Sequence, residues 1–209
     1  MDFNVMVDPI PLYSELPHFV KKGKSYDFKR RVRGFTRTER PVKYYYIDFG
    51  ISRRYGPDEA SPLEDIIVGG DKSVPEFEGT DEPQNPFWTD IYYLGNLIRT
   101  DFLQVCSRSR GAILSFALLT MSHSQGAHGF EFMQLLIDDM VQKDPTKRPT
   151  IGQARSRFEE LRESLSERKL RSRVVYRDEF AVFRSFRSLK HCLRTAVRVS
   201  QGVPALPTP

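Results

Sequence analysis

Few side chains in the 209 residues could do metal, redox or nucleophilic chemistry, and they are scattered. His18, His123, His128 and His191 lack ligand spacing, and Cys106 and Cys192 have no companion thiol. Neither a four-ligand zinc site nor a disulfide framework can be assembled from them, so both thiols are read as reduced. Ser61 and Ser73 sit in a loop and could be phosphorylated, a common property of loop serines to which no specific role attaches. The carboxylate of Asp48 has a more defined setting. It follows the β-branched and aromatic run Val42 to Ile47, which Pro41 bounds, and it precedes Phe49 and Gly50. That pattern predicts a strand ending in a turn. On the local pattern alone Asp48 caps the turn, and Asn4 is a loop residue.

The elements that must position these groups follow from periodicity. Residues 52 to 86 carry Pro57, Pro62, Gly69, Gly70, Pro75, Gly79, Pro83 and Pro86, which predicts a long surface loop. Such a length is uncommon in a compact domain unless the segment has a function. Ile91, Leu94, Ile98 and Phe102 then repeat at helical spacing after a start at Thr89 or Asp90. A second helix is expected from about Gly129, with Met133, Leu136, Ile137, Met140 and Val141 on its apolar face and Asp144-Pro145 ending it. A third opens with the capping box Thr150 and Gln153 and points Ala154, Phe158, Leu161 and Leu165 to the core. Val105 to Ala127 reads either as a buried helix or as sequence foreign to the mature fold.

Charge divides the chain further. Residues 21 to 43 hold ten Lys or Arg against two acids, and residues 162 to 198 hold eleven against four, so the net +5 leaves the rest of the chain acidic. The first block is most simply a solvated insertion; nucleic-acid binding is not expected, because no recognition motif accompanies Tyr26, Phe28 and Phe35. In the second, Phe180, Phe183, Phe186, Leu189 and Leu193 fall near one face of a helix, with Arg184, Arg187, Lys190 and Arg194 tending to another. That helix is expected either to dock on the folded body or, over residues 180 to 197, to contact anionic membrane. The longest apolar run, Ala112 to Met121, is too short to span a bilayer, and the acidic, proline-bearing start is unlike a secretory signal. An intracellular, cytoplasmic location is expected.

Four motifs occur in an order and spacing that resembles the eukaryotic protein kinases. Asp48-Phe49-Gly50 resembles the metal-binding turn, and Val74-Pro75-Glu76, where Glu76 is 28 residues after Asp48, is similar to the Ala-Pro-Glu that closes the activation segment. Asp90-Ile91-Tyr92-Tyr93-Leu94-Gly95 looks like the start of the F helix, and Asp144 to Thr150 like the Asp-Pro-x-x-Arg-Pro-Thr turn before the last helix of the large lobe. Asn4-Val5-Met6-Val7 resembles the end of the catalytic loop. Asp8 to Tyr13 and Thr36 to Pro41 further resemble an expanded kinase-like family of mushroom-forming fungi.

The resemblance implies a mainly α (α+β) fold, a kinase-like large lobe with a short β element and no small lobe. Residues 1–165 would form the lobe, with a basic insertion at about 10–41, and 166–209 a basic tail. It implies that Asp48 and Asn4 hold Mg²⁺ against ATP, that Glu76 and Arg148 form a buried structural ion pair, and that Asp90 receives backbone N–H groups of the catalytic loop. The implied parent activity is ATP-dependent phosphorylation of Ser/Thr or Tyr hydroxyls on a protein substrate. There are departures: Asn4 and Asp48 are 44 positions apart where kinases have roughly a dozen, and Gly69 stands where a substrate-seating Thr is usual. The catalytic Asp would lie upstream of Met1, with the glycine-rich loop and phosphate lysine before it, so the chain as written is expected to be a truncated, inactive transferase fragment. The alternative is a noncatalytic pseudokinase-type scaffold, or a basic membrane or nucleic-acid adaptor.

Overall fold

The computed structural model describes residues 4–59, 61–67, 69–103, 127–176 and 179–208. Over these residues the chain is mostly helical, with two small two-stranded antiparallel sheets. It divides into two units, residues 1–53 with 193–209 and residues 54–192. The ambiguous segment 105–126 lies outside the described residues, as do Cys106 and His123.

In the first unit, β1 (Val5–Val7) pairs antiparallel with β2 (Tyr44–Tyr46), Val5 opposite Tyr46 and Val7 opposite Tyr44. The ladder continues at both ends: the Ile47 N–H donates to the Asn4 carbonyl at 3.0 Å, and the Asp8 N–H donates to the Lys43 carbonyl at 2.9 Å. The basic insertion between the strands has more structure than a solvated loop. Isolated bridges join Tyr13 to Gly34, Pro17 to Ser25 and Lys24 to Arg31. Ser25 is buried, donating its hydroxyl to Asp27 at 2.6 Å and accepting the Arg30 N–H at 2.9 Å. The guanidinium of Arg40 stacks 3.7 Å from the Phe35 ring and that of Arg37 lies 5.4 Å from the Tyr44 ring, so part of the basic charge is engaged with the insertion's own aromatics.

The second unit is built on α1 (Pro86–Ile98). It begins three residues before the expected Thr89, because Asn85 caps it by accepting the Phe87 N–H at 2.9 Å and Pro86 occupies the first turn, where no amide is needed. Phe102 does not continue the helical face. It sits on a wider π-type turn, Arg99–Leu103, and meets Phe130 edge-on. The next sheet pairs β3 (Ala127–His128) with β4 (Val175–Tyr176).

The second helix also starts later than expected. Gly129 adopts a φ of 108°, which only glycine holds without strain, and a 3₁₀ turn, Glu131–Met133, leads into α2 (Gln134–Met140). Then α3 (Ile151–Ser164) opens with both bonds of the capping box formed. Of its expected core residues Ala154 is buried and Leu161 packs against the core, but Phe158 is 42% exposed. The short α4 (Glu167–Leu170) precedes β4 in the chain, and α5 (Ala181–Ser200) follows it, its residues from Leu193 on belonging to the first unit.

Ile91, Leu103, Met133, Leu136, Ile137, Met140 and Ala154 form the main core of this unit. At Gly95 a Cβ would lie 2.7 Å from Met140 Cβ, so the approach of α1 to α2 requires glycine there. Among the described residues no helix is long and apolar enough to cross a membrane. Val182, Phe183, Phe186, Leu189, Leu193 and Val197, on the apolar face of α5, are all exposed.

Candidate functional site

Two places hold the residues that sequence singles out, one in each unit. In the first unit the β1–β2 ribbon brings together two positions 44 residues apart. Asn4 lies at the start of β1 and its carbonyl accepts from Ile47, the neighbour of Asp48, so both residues stand at the same end of the ribbon. Asp48 itself is exposed and holds a φ of 63°. Aspartate enters this left-handed region more readily than most residues, yet at a cost that the surroundings must offset, and such conformations cluster at functional positions. The ribbon around it offers little cover: Tyr44, Tyr45, Tyr46, Phe49 and Ile51 are all exposed.

An aspartate carboxylate and an asparagine amide oxygen are hard donors of the kind Mg²⁺ takes, an ion that uses one or two protein carboxylates and completes its shell with phosphates and water. Among the described residues no group of three or more His, Cys, Asp or Glu could hold a metal.

In the second unit Glu76 and Arg148 meet although 72 residues separate them. Arg148 Nη1 donates to Glu76 Oε1 at 2.7 Å and Nη2 to Oε2 at 2.6 Å, a bidentate pair with side chains 0% and 6% exposed. The guanidinium also donates from Nε to the Gln142 carbonyl at 2.9 Å and from Nη1 to the Trp88 carbonyl at 3.0 Å. It lies 4.9 Å from the Tyr92 ring centre. Thr89 Oγ1 adds a 3.3 Å bond to Glu76 Oε1. One side chain thus ties the end of the long loop to the start of α1 and the exit of α2. Asp144 prepares the turn that delivers Arg148, accepting the Thr146 hydroxyl at 2.7 Å and its N–H at 3.1 Å. The bond from the Thr146 hydroxyl, above all, holds the Asp144 carboxyl below the usual range.

Sequence reasoning missed a second network just before Glu76. Asn96 of α1, buried, donates to Asp71 and, at 3.1 Å, to Ser73 Oγ, while Arg99 Nη2 donates to Asn96 Oδ1 at 2.6 Å. The Tyr92 hydroxyl donates to the Ser73 carbonyl at 2.8 Å. Burial opposes ionisation of Asp71, but hydrogen bonds from Ser73 and Asn96 and the charge of Arg99 outweigh it and leave the carboxyl below its ordinary value. Asp90 behaves oppositely. Desolvation raises its pKa, although the residue as a whole is exposed. Burial, assisted by the charges of Asp71, Asp90 and Glu76, pushes the Tyr93 hydroxyl up to about 12.

Comparison of the chain with protein-family models, with curated proteins and with solved structures found no match. Ser61, a loop serine, acts in the fold as acceptor for the Nδ2 of the capping Asn85 at 3.1 Å. Cys192 is a free, exposed thiol.

Proposed function

We propose that the chain supplies the metal-holding turn and the segment anchor of a protein kinase-like large lobe, whose parent reaction is ATP-dependent phosphorylation of protein hydroxyl groups. The pairing of β1 with β2 carries this reading, because it sets Asn4 and Asp48 at one end of a ribbon across a 44-residue separation that no local rule demands. The buried Glu76–Arg148 pair supports it from the other unit. Asp48 would hold Mg²⁺ through its carboxylate and Asn4 through its amide oxygen. When bound with ATP, the ion neutralises phosphate charge. Asp48 has its carboxylate exposed for this purpose, on a residue whose left-handed backbone fixes its direction between strand and turn.

A second reading, a noncatalytic scaffold of the same family, is favoured by how the charge is distributed. The dense networks at Asp71–Asn96–Arg99 and Glu76–Arg148 hold structure, whereas the metal turn stands on an exposed ribbon. Substituting paramagnetic Mn²⁺ for Mg²⁺ separates the two. With ATP present, amide signals around Asn4 and Asp48 should broaden first; broadening that spares them and follows other acidic residues would remove the metal assignment.

A further inference from the structure

Helix α5 carries five Lys or Arg and no acid between Ala181 and Ser200. Its exposure is inverted relative to an ordinary surface helix, which hides its apolar stripe and shows its polar one. Its least exposed residues are Ser188, His191, Thr195 and Arg198, at spacings of three and four along one polar face. His191 Nε2 lies 2.8 Å from the Arg171 carbonyl, and Arg198 donates to Thr36 Oγ1 at 2.9 Å and lies 3.8 Å from Glu39. The polar face is therefore already used. The apolar positions Val182, Phe186, Leu189, Leu193 and Val197 recur at helical spacing, with Phe183 beside them, and all are exposed. They run along most of a 20-residue helix, a length of about 30 Å. Lys190 and Arg194 lie along the border of that stripe and are exposed, while Arg187 is exposed but pairs with Glu179 at 2.8 Å.

We propose that α5 is an interfacial anchor that lies in the headgroup layer of an anionic membrane, its Phe and Leu side chains in the acyl boundary and its Lys and Arg on lipid phosphates. The sign of the charge selects this occupant. A second copy of the helix laid face to face would set cationic rims together without a single acid on either helix to offset them. Anionic lipid supplies both the apolar depth and the opposite charge at once. The inference is independent of the kinase reading, since it uses neither Asp48 nor Glu76.

The test is sedimentation of the full chain with vesicles of phosphatidylcholine containing phosphatidylserine, and with vesicles of phosphatidylcholine alone. Retention on the anionic vesicles should be at least about tenfold greater at low salt and should fall as salt screens the surface. The pair Phe186→Ser with Leu189→Ser should abolish it while leaving the thermal melt in place, because both side chains are exposed. Lys190→Gln with Arg194→Gln, which leaves the apolar stripe intact, should weaken anionic binding and leave neutral binding as it was. Equal retention on both vesicle types would overturn the proposal. So would anionic retention that survives all four substitutions, or a dimer of the unaltered chain that the serine pair splits while no vesicle is bound.

Discussion

The two regions that resemble kinase motifs are built to opposite standards. Around Glu76 and Arg148, one guanidinium meets a carboxylate and two backbone carbonyls with almost no solvent contact. Around Asn4 and Asp48, a ribbon of three-residue strands exposes tyrosines and holds its key carboxylate in a left-handed conformation. An isolated two-stranded ribbon is marginal in water, whereas a buried bidentate pair is costly to break. The buried pair anchors the unit, while under the proposed reading the turn serves a ligand, so substitutions should separate the two readouts.

The largest effect is expected at the anchor. Arg148→Ala or Glu76→Ala strands a buried charge and should cost about 3–5 kcal/mol in urea unfolding. Ser61→Ala, removing only the acceptor for Asn85, should cost about 1 kcal/mol. Equal small shifts for all three would mean that the pair does not anchor the unit. Next is Gly95→Val. The close approach to Met140 predicts a loss of about 1–3 kcal/mol from overpacking, read as a lowered denaturation midpoint at unchanged slope.

Two carboxylates sharpen the comparison within the second unit through pH. Asp71 is held below its ordinary value of 3.8 by its partners, so its stabilisation is present above 3.8 and lost as pH falls through the lower folded value. Asp71→Asn should flatten that acid limb. The pKa of Asp90 is raised, so its charged form is disfavoured in the fold at neutral pH and acidification relieves the penalty. Because Asp90 is exposed, Asp90→Asn should stabilise the chain only slightly at neutral pH, and a loss of stability there would contradict that direction.

The smallest stability change is expected at the turn around Asp48. Asp48→Gly relieves a positive φ but adds freedom to the unfolded chain, so the two effects oppose and the thermal melt should move by less than about 1 kcal/mol. A large loss would show that Asp48 is structural.

What was legible in the sequence was local. The strand before Asp48, the capping box at Thr150 and the turn after Asp144 are each determined within a few residues, and each formed. The start of α1 was also locally encoded, in Asn85-Pro86, but the apolar spacing drew attention to Thr89 instead. Phe158 was misplaced because helical spacing names a face without saying how wide the neighbouring surface is. The Asp71–Asn96–Arg99 network, spanning 25 residues from Asp71 to Asn96, and the bridges that fold the basic insertion depend on tertiary approach, which no residue pattern announces.

Calorimetric titration of the chain with ATP, with and without Mg²⁺, alongside Asp48→Ala, tests whether Asp48 holds the metal. Weak, saturable binding that requires Mg²⁺ and is lost in Asp48→Ala is the expected result. Nucleotide binding that ignores Mg²⁺, or that Asp48→Ala retains in full, would contradict it.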